Sequence, residues 1–108
     1  MGDRVSISFK NGEDESVVLF SHWGGRALVE DAQMYAEELA LEMIGDSSPL
    51  DRLEPDTVMV DFIRHITKDM GRVVCDFYLG KIPDDGDNSD NGHFLIDLGE
   101  LQRLKLKR

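Results

Sequence analysis

Hydrophobic and polar residues alternate from the start of the chain. In "RVSISF", Val5, Ile7 and Phe9 fall on one side and Ser6 and Ser8 on the other, the period-two pattern of a half-buried strand. "SVVLF" at 16–20 is apolar on both faces and predicts a second strand. The intervening "KNGEDE" is a hairpin signal. A three-residue loop at 11–13 sets Ile7 opposite Val17 and Val5 opposite Leu19, so the apolar faces coincide.

The period then changes. "RALVEDAQMYAEELALEMI", closed by Gly45, places Leu28, Ala32, Tyr35, Ala36, Leu39 and Met43 on one helical stripe, with Glu30, Gln33 and Glu37 opposite. Residues 46–57 form a connector in which Ser48 and Pro49 suit a single helical turn. A second helix is predicted from Pro55, with Val58, Met59, Phe62, Ile63, Ile66 and Met70 buried and Gly71 as its stop. "RVVCDFYL" reads as a strand with Val73, Cys75, Phe77 and Leu79 on one side. "KIPDDGDNSDNG" reads as a long, solvated, mobile loop. "HFLIDL" and "LQRLKLK" form a hairpin about Gly99 and Glu100, with Leu104 and Leu106 inward. The order β-β-α-α-β-β-β describes a single α+β domain over 1–108, an antiparallel sheet of four to five strands with two helices on one face.

Charge narrows the partners. The chain of 108 residues holds 22 acidic and 12 basic residues, a formal net charge of −10. Four of the basic ones, Arg103, Lys105, Lys107 and Arg108, fall in the last six positions, so the remainder is more acidic still. Such a body repels phosphates and anionic membranes, which argues against direct nucleic-acid binding and for a protein partner with a basic surface. Cys75 is the only cysteine, so neither an intrachain disulfide nor a cysteine-rich zinc site forms, and a reducing cytoplasm fits. "MGDRVSISFK" carries no apolar signal region. "MGDRVS" satisfies the myristoylation pattern, but its Ser6 belongs to the alternating strand.

Chemistry concentrates in "SHWGG". A strand entering a helix through Ser21, His22, Trp23, Gly24 and Gly25 sets amide donors at a positive helix end, which suits an anion or nucleotide, with His22 and Trp23 as side-chain contacts. The glycines also serve the turn alone, and a lone tryptophan also plugs a core or an edge. The motif is neither a nucleophile elbow nor a phosphate loop. A second feature is the helix line Ala27, Met34 and Leu41, bordered by Asp31 and Glu38, which together with the acidic faces carrying Glu30, Glu37 and Glu38 suits docking onto a basic partner or is ordinary exposed surface. In the loop at 84–90, Asp87, Ser89 and Asn91 fit the first ligands of a calcium loop, but Leu98 stands where the bidentate acid belongs. His22, His65 and His93 fall in three separate elements without metal-ligand spacing, so no metal or other cofactor and no catalytic set is assigned.

"SVVLFSHWGGRALVEDAQ" resembles a stretch found in small uncharacterised proteins of phages and prokaryotes, carried by His22, Trp23, Gly24 and Gly25 and continuing loosely through "VMVDFIRHITKDM" and the Asp/Asn-rich loop. The resemblance implies this fold and such an origin, and no mechanism. Two readings stand: a small acidic non-enzymatic regulator or inhibitor that binds a macromolecule through acidic helix faces, and a small-anion or nucleotide binder using the corner. Oligomeric state is left open by both.

Overall fold

The computed structural model describes residues 2–43, 53–71 and 76–106. Strand β1 (Val5–Asn11) is central. It pairs antiparallel with β2 (Asp14–Glu15) and β3 (Val18–Ser21) on one side, and parallel with β5 (His93–Asp97) on the other; β4 (Phe77–Gly80) adds antiparallel to β3. Helices α1 (Gly25–Met43), α2 (Pro55–Thr67) and α3 (Leu98–Leu106) complete an α+β fold. The predicted class therefore holds, with one parallel pair in an otherwise antiparallel sheet and a third helix where the sequence pattern predicts a last strand.

Alternation in β1 sorts the two layers. Val5, Ile7 and Phe9 are fully buried against Leu28, Val29, Ala32 and Ala36 of α1, Val58, Met59 and Phe62 of α2, and Leu98 of α3. Phe9 meets Phe62 edge-on at 5.7 Å between ring centres. Ser6 and Ser8 point to the other face, and they are buried too. The cause is topological. Because β4 and β5 both run parallel to β1, the link between them is a crossover rather than a hairpin. Residues 81–92 carry it across the outer face. The loop expected to be solvated and mobile is thus a cover: Asn88 Nδ2 donates to Ser6 Oγ at 2.8 Å, and a Cβ on Gly86 would come within 2.8 Å of the buried Phe20 ring.

Three local expectations are corrected. The first turn has two residues: Asn11 pairs with Asp14, and Gly12 takes φ 66° at the first central position, as a type II′ turn requires. Register then shifts by one residue between Lys10↔Glu15 and Ile7↔Leu19, a bulge at Ser16 that restores apolar facing. Ser16 Oγ accepts from Phe9 N at 2.9 Å and donates to Val17 O at 2.7 Å, holding the bulge closed. The segment read as the final strand is α3, because Asp97 Oδ1 accepts from Glu100 N at 3.0 Å in the manner of an N-cap; Leu98 is buried while Leu104 is exposed. Helix α2 ends at Thr67, which leaves Met70 outside it and exposed, and Leu79 is likewise exposed on the edge strand. The expectations for Gly45, Ser48, Pro49, Val73 and Cys75, and for the side chains of Met43 and Leu106, lie outside the described residues.

Candidate functional site

The corner between β3 and α1 folds its donors inward. Ser21 Oγ donates to Asp76 Oδ1 at 2.9 Å and accepts from Gly24 N at 2.8 Å. The amides of His22 and Trp23 reach the same carboxylate oxygen at 3.0 and 3.3 Å. Gly25 N donates to Asp3 O at 3.0 Å. Gly25 has φ 55°, and a Cβ there would collide with the Asp3 carboxylate, which therefore packs against the first turn of α1, where the helix dipole favours negative charge. The anion that the corner was expected to recruit is supplied from within, as Asp76 and Asp3. The Gly24 and Gly25 amides, on which the anion reading relies, donate to Ser21 Oγ and to the Asp3 carbonyl, and another anion there would face two carboxylates. Asp76 was legible as the one charge in the apolar run "VVCDFYL", since such a carboxylate requires donors, but its partners were not.

His22 and Trp23 are used differently. Phe20 stacks on Tyr78 at 4.9 Å, Tyr78 meets His22 at 5.2 Å, and His22 meets Trp23 at 5.5 Å, a run of rings from the buried outer face to the surface. It ends on Trp23, which is 58% exposed. Tyr78 Oη accepts from Asp87 N at 2.9 Å, which ties the run to the crossover.

The crossover's acidic residues face inward partners as well. Asp87 and Asp90 meet Arg4 at 3.2 and 3.5 Å. The Ser89 hydroxyl and amide, helped by Arg4, hold the Asp87 carboxyl below the usual carboxylate range. Amides of Ile82 and Lys81 do the same for Asp85. These contacts engage Asp87, the one carboxylate among the first ligands of the calcium reading of the loop at 84–90. His22, His65 and His93 lie apart, beside Tyr78, Asp31 and Ser6 respectively. Among the described residues no group of three or more His, Cys, Asp or Glu side chains is disposed to hold a metal ion.

Two arrangements escaped the sequence reading. His93 spans the β1 serines, with Nδ1 2.8 Å from Ser6 Oγ and Nε2 3.1 Å from Ser8 Oγ. Ser6 is wholly buried, so this serine–histidine contact is packing and not a nucleophile open to substrate. Burial pushes the His93 imidazole below its ordinary pKa, against a smaller opposing pull from Glu15. Between α1 and α2, Tyr35 Oη donates to Asp61 Oδ2 at 2.5 Å, Arg64 Nε donates to Asp61 Oδ1 at 3.1 Å, and His65 lies 3.4 Å from Asp31. The Tyr35 hydroxyl, then Arg64, holds Asp61 below the usual range, and the cluster fastens the two helices across a shallow cavity of about 180 Å³.

The outer face of α1 is plainly displayed. Met34 and Leu41 are 62% and 57% exposed, and Ala27, Glu30, Glu37 and Glu38 are exposed with them. At 100° per residue these six side chains form one continuous strip with Met34 at its centre. No family model, curated protein or solved structure matches the chain. Its function is read from this geometry. No helix of the described residues is long and apolar enough to cross a membrane.

Proposed function

We propose that this chain is a small, acidic, non-enzymatic interaction protein that docks onto a basic protein surface through the outer face of α1. Its resemblance to phage and prokaryotic proteins suits a regulator or inhibitor working in such a cytoplasm. One observation carries the reading: a helix otherwise packed into the core leaves Met34 and Leu41 uncovered in the middle of a strip edged by Glu30, Glu37 and Glu38. Apolar contact at the centre supplies affinity, and the carboxylates at the rim speed encounter with a cationic partner and reject anionic ones. The test is capture from lysate at low and moderate salt by the wild type, by Met34→Glu and by the triple variant Glu30→Lys, Glu37→Lys, Glu38→Lys. A partner that binds the wild type, leaves as salt rises and is lost by both variants supports the reading. Equal capture by the triple variant rejects it.

A second reading is favoured by the ring run alone: a planar heterocycle stacks on Trp23 beside His22. It is narrower than an anion pocket, because Asp76, Ser21 and the Asp3 carbonyl hold the corner's donors. Trp23 is the sole tryptophan, so its fluorescence reports directly on the site. Titration with adenosine and with AMP tests it. Quenching by both at similar concentrations supports ring stacking, and no change up to millimolar concentrations rejects it.

A further inference from the structure

The edge formed by β5 faces an open groove. Ser6 N donates to Gly92 O at 3.1 Å, and the parallel register sets Ser6 opposite His93. In such a ladder the backbone groups of residues 92, 94 and 96 turn toward β1, and those of His93, Leu95 and Asp97 turn away. Among the described residues no strand pairs with that outer side. Beside it lies a groove of about 370 Å³, walled by Gln33 and Glu37 of α1 and by Glu100, Leu101 and Leu104 of α3, with Leu95, Ile96 and Asp97 as its floor. Leu95, which shares the outer face with Ser8, and Leu104 are 45% and 51% exposed. Three carboxylates reach the groove, Glu37, Asp97 and Glu100. Among the described residues, Lys10 stands opposite Asp97 in the ladder, the Arg103 guanidinium turns back toward Gly99, and Arg26 lies 5.9 Å over the Phe94 ring.

We propose that an extended basic peptide segment of a partner protein binds here by adding to β5 as a new edge strand. Unpaired strand edges are templates for pairing, and folded proteins usually blunt them with charge, proline or a covering element. Here the edge carries a leucine at its middle and has walls on both sides. An added strand pairs with the outward N–H and C=O of Leu95, sets one alternate set of side chains, apolar, beside Leu95 on the outer face, and turns the other set, as lysine or arginine, to Glu37 and Glu100 on the helix side. The sign of the groove selects the occupant: an acidic strand meets three carboxylates, and a basic one neutralises them.

The test uses the full chain and a blocked seven-residue peptide alternating lysine and valine, with the glutamate–valine peptide as its counterpart. The discriminating variants are Leu95→Pro and Leu95→Thr. Proline removes the outward Leu95 N–H and no bond to β1, and an edge strand tolerates it there, whereas threonine keeps the N–H and loses the same apolar contact. The expected result is binding of the lysine peptide only, slowed amide exchange at Leu95, and about tenfold weaker binding by Leu95→Pro than by Leu95→Thr, the loss of roughly one backbone hydrogen bond. A thermal melt of each variant confirms that both are folded. Equal binding by the two variants overturns the proposal, as does no binding by the wild type. Dimerisation through β5 without peptide also overturns it, since the occupant is then a second copy. Met34→Glu separates it from docking through α1: binding lost by that variant and retained by Leu95→Pro assigns the peptide to the α1 face.

Discussion

At the scale of single residues, the corner is a structural device with one exposed ring. Asp76 receives the Ser21 hydroxyl and two successive amides on a single oxygen, so Asp76→Ala removes an acceptor shared by three donors, of which His22 N keeps the Asp76 backbone carbonyl. A loss of about 2–3 kcal/mol in urea unfolding is expected. Asp76→Asn, which keeps an acceptor, should recover part of it. Gly25→Ala should destabilise by at least about 1 kcal/mol from its left-handed backbone alone, and Asp3 crowds the new methyl further. Trp23→Ala should leave the urea midpoint nearly unchanged, because Trp23 is mostly exposed. Only the glycines of "SHWGG" answered to local turn chemistry in the sequence. Asp76 lies more than fifty positions away along the chain, and no local pattern pairs it with Ser21.

At the scale of elements, apolar periodicity worked where an element buries one face. The stripe through Leu28, Ala32 and Ala36 and the set Val58, Met59 and Phe62 both meet the core as their spacing implied. Phe62, ringed by Phe9 and Tyr35, should lose about 3–5 kcal/mol on substitution by alanine. Periodicity failed at the C-terminus, where "LQRLKLK" suits a strand as well as a short helix. The Asp97 cap and the burial of Leu98 decide for α3. It failed also at the first hairpin, since a one-residue bulge is invisible to an alternation count. Ser16→Ala removes the acceptor that Phe9 N uses inside that bulge, and a loss of about 1–2 kcal/mol in unfolding free energy is expected from urea titration.

At the scale of the whole molecule, the outer face of the sheet sets a pH dependence. His93 is held beneath the crossover with its pKa below the ordinary 6.5, so the folded state disfavours its protonation while the unfolded chain accepts it. This contribution to stability is intact above pH 6.5 and falls as the pH drops below it, levelling only beneath the depressed folded value. Wild type should therefore lose more stability than His93→Gln between pH 7.5 and 5.5 in parallel thermal melts, and equal slopes would place the sensitivity elsewhere. Read alone, the sequence determined an α+β domain, the inner face of β1, the buried sides of both long helices and the exposed acidic strip on α1, because each depends on periodicity within one element. Tertiary structure alone decided that β5 runs parallel to β1 and that residues 81–92 cover Ser6, Ser8 and Phe20. It also decided that Asp76 fills the corner and that, among the described residues, the β5 edge stands open in a groove. Those features arise where segments far apart in sequence meet, and hydrogen-bond partners across such distances leave no mark in local alternation.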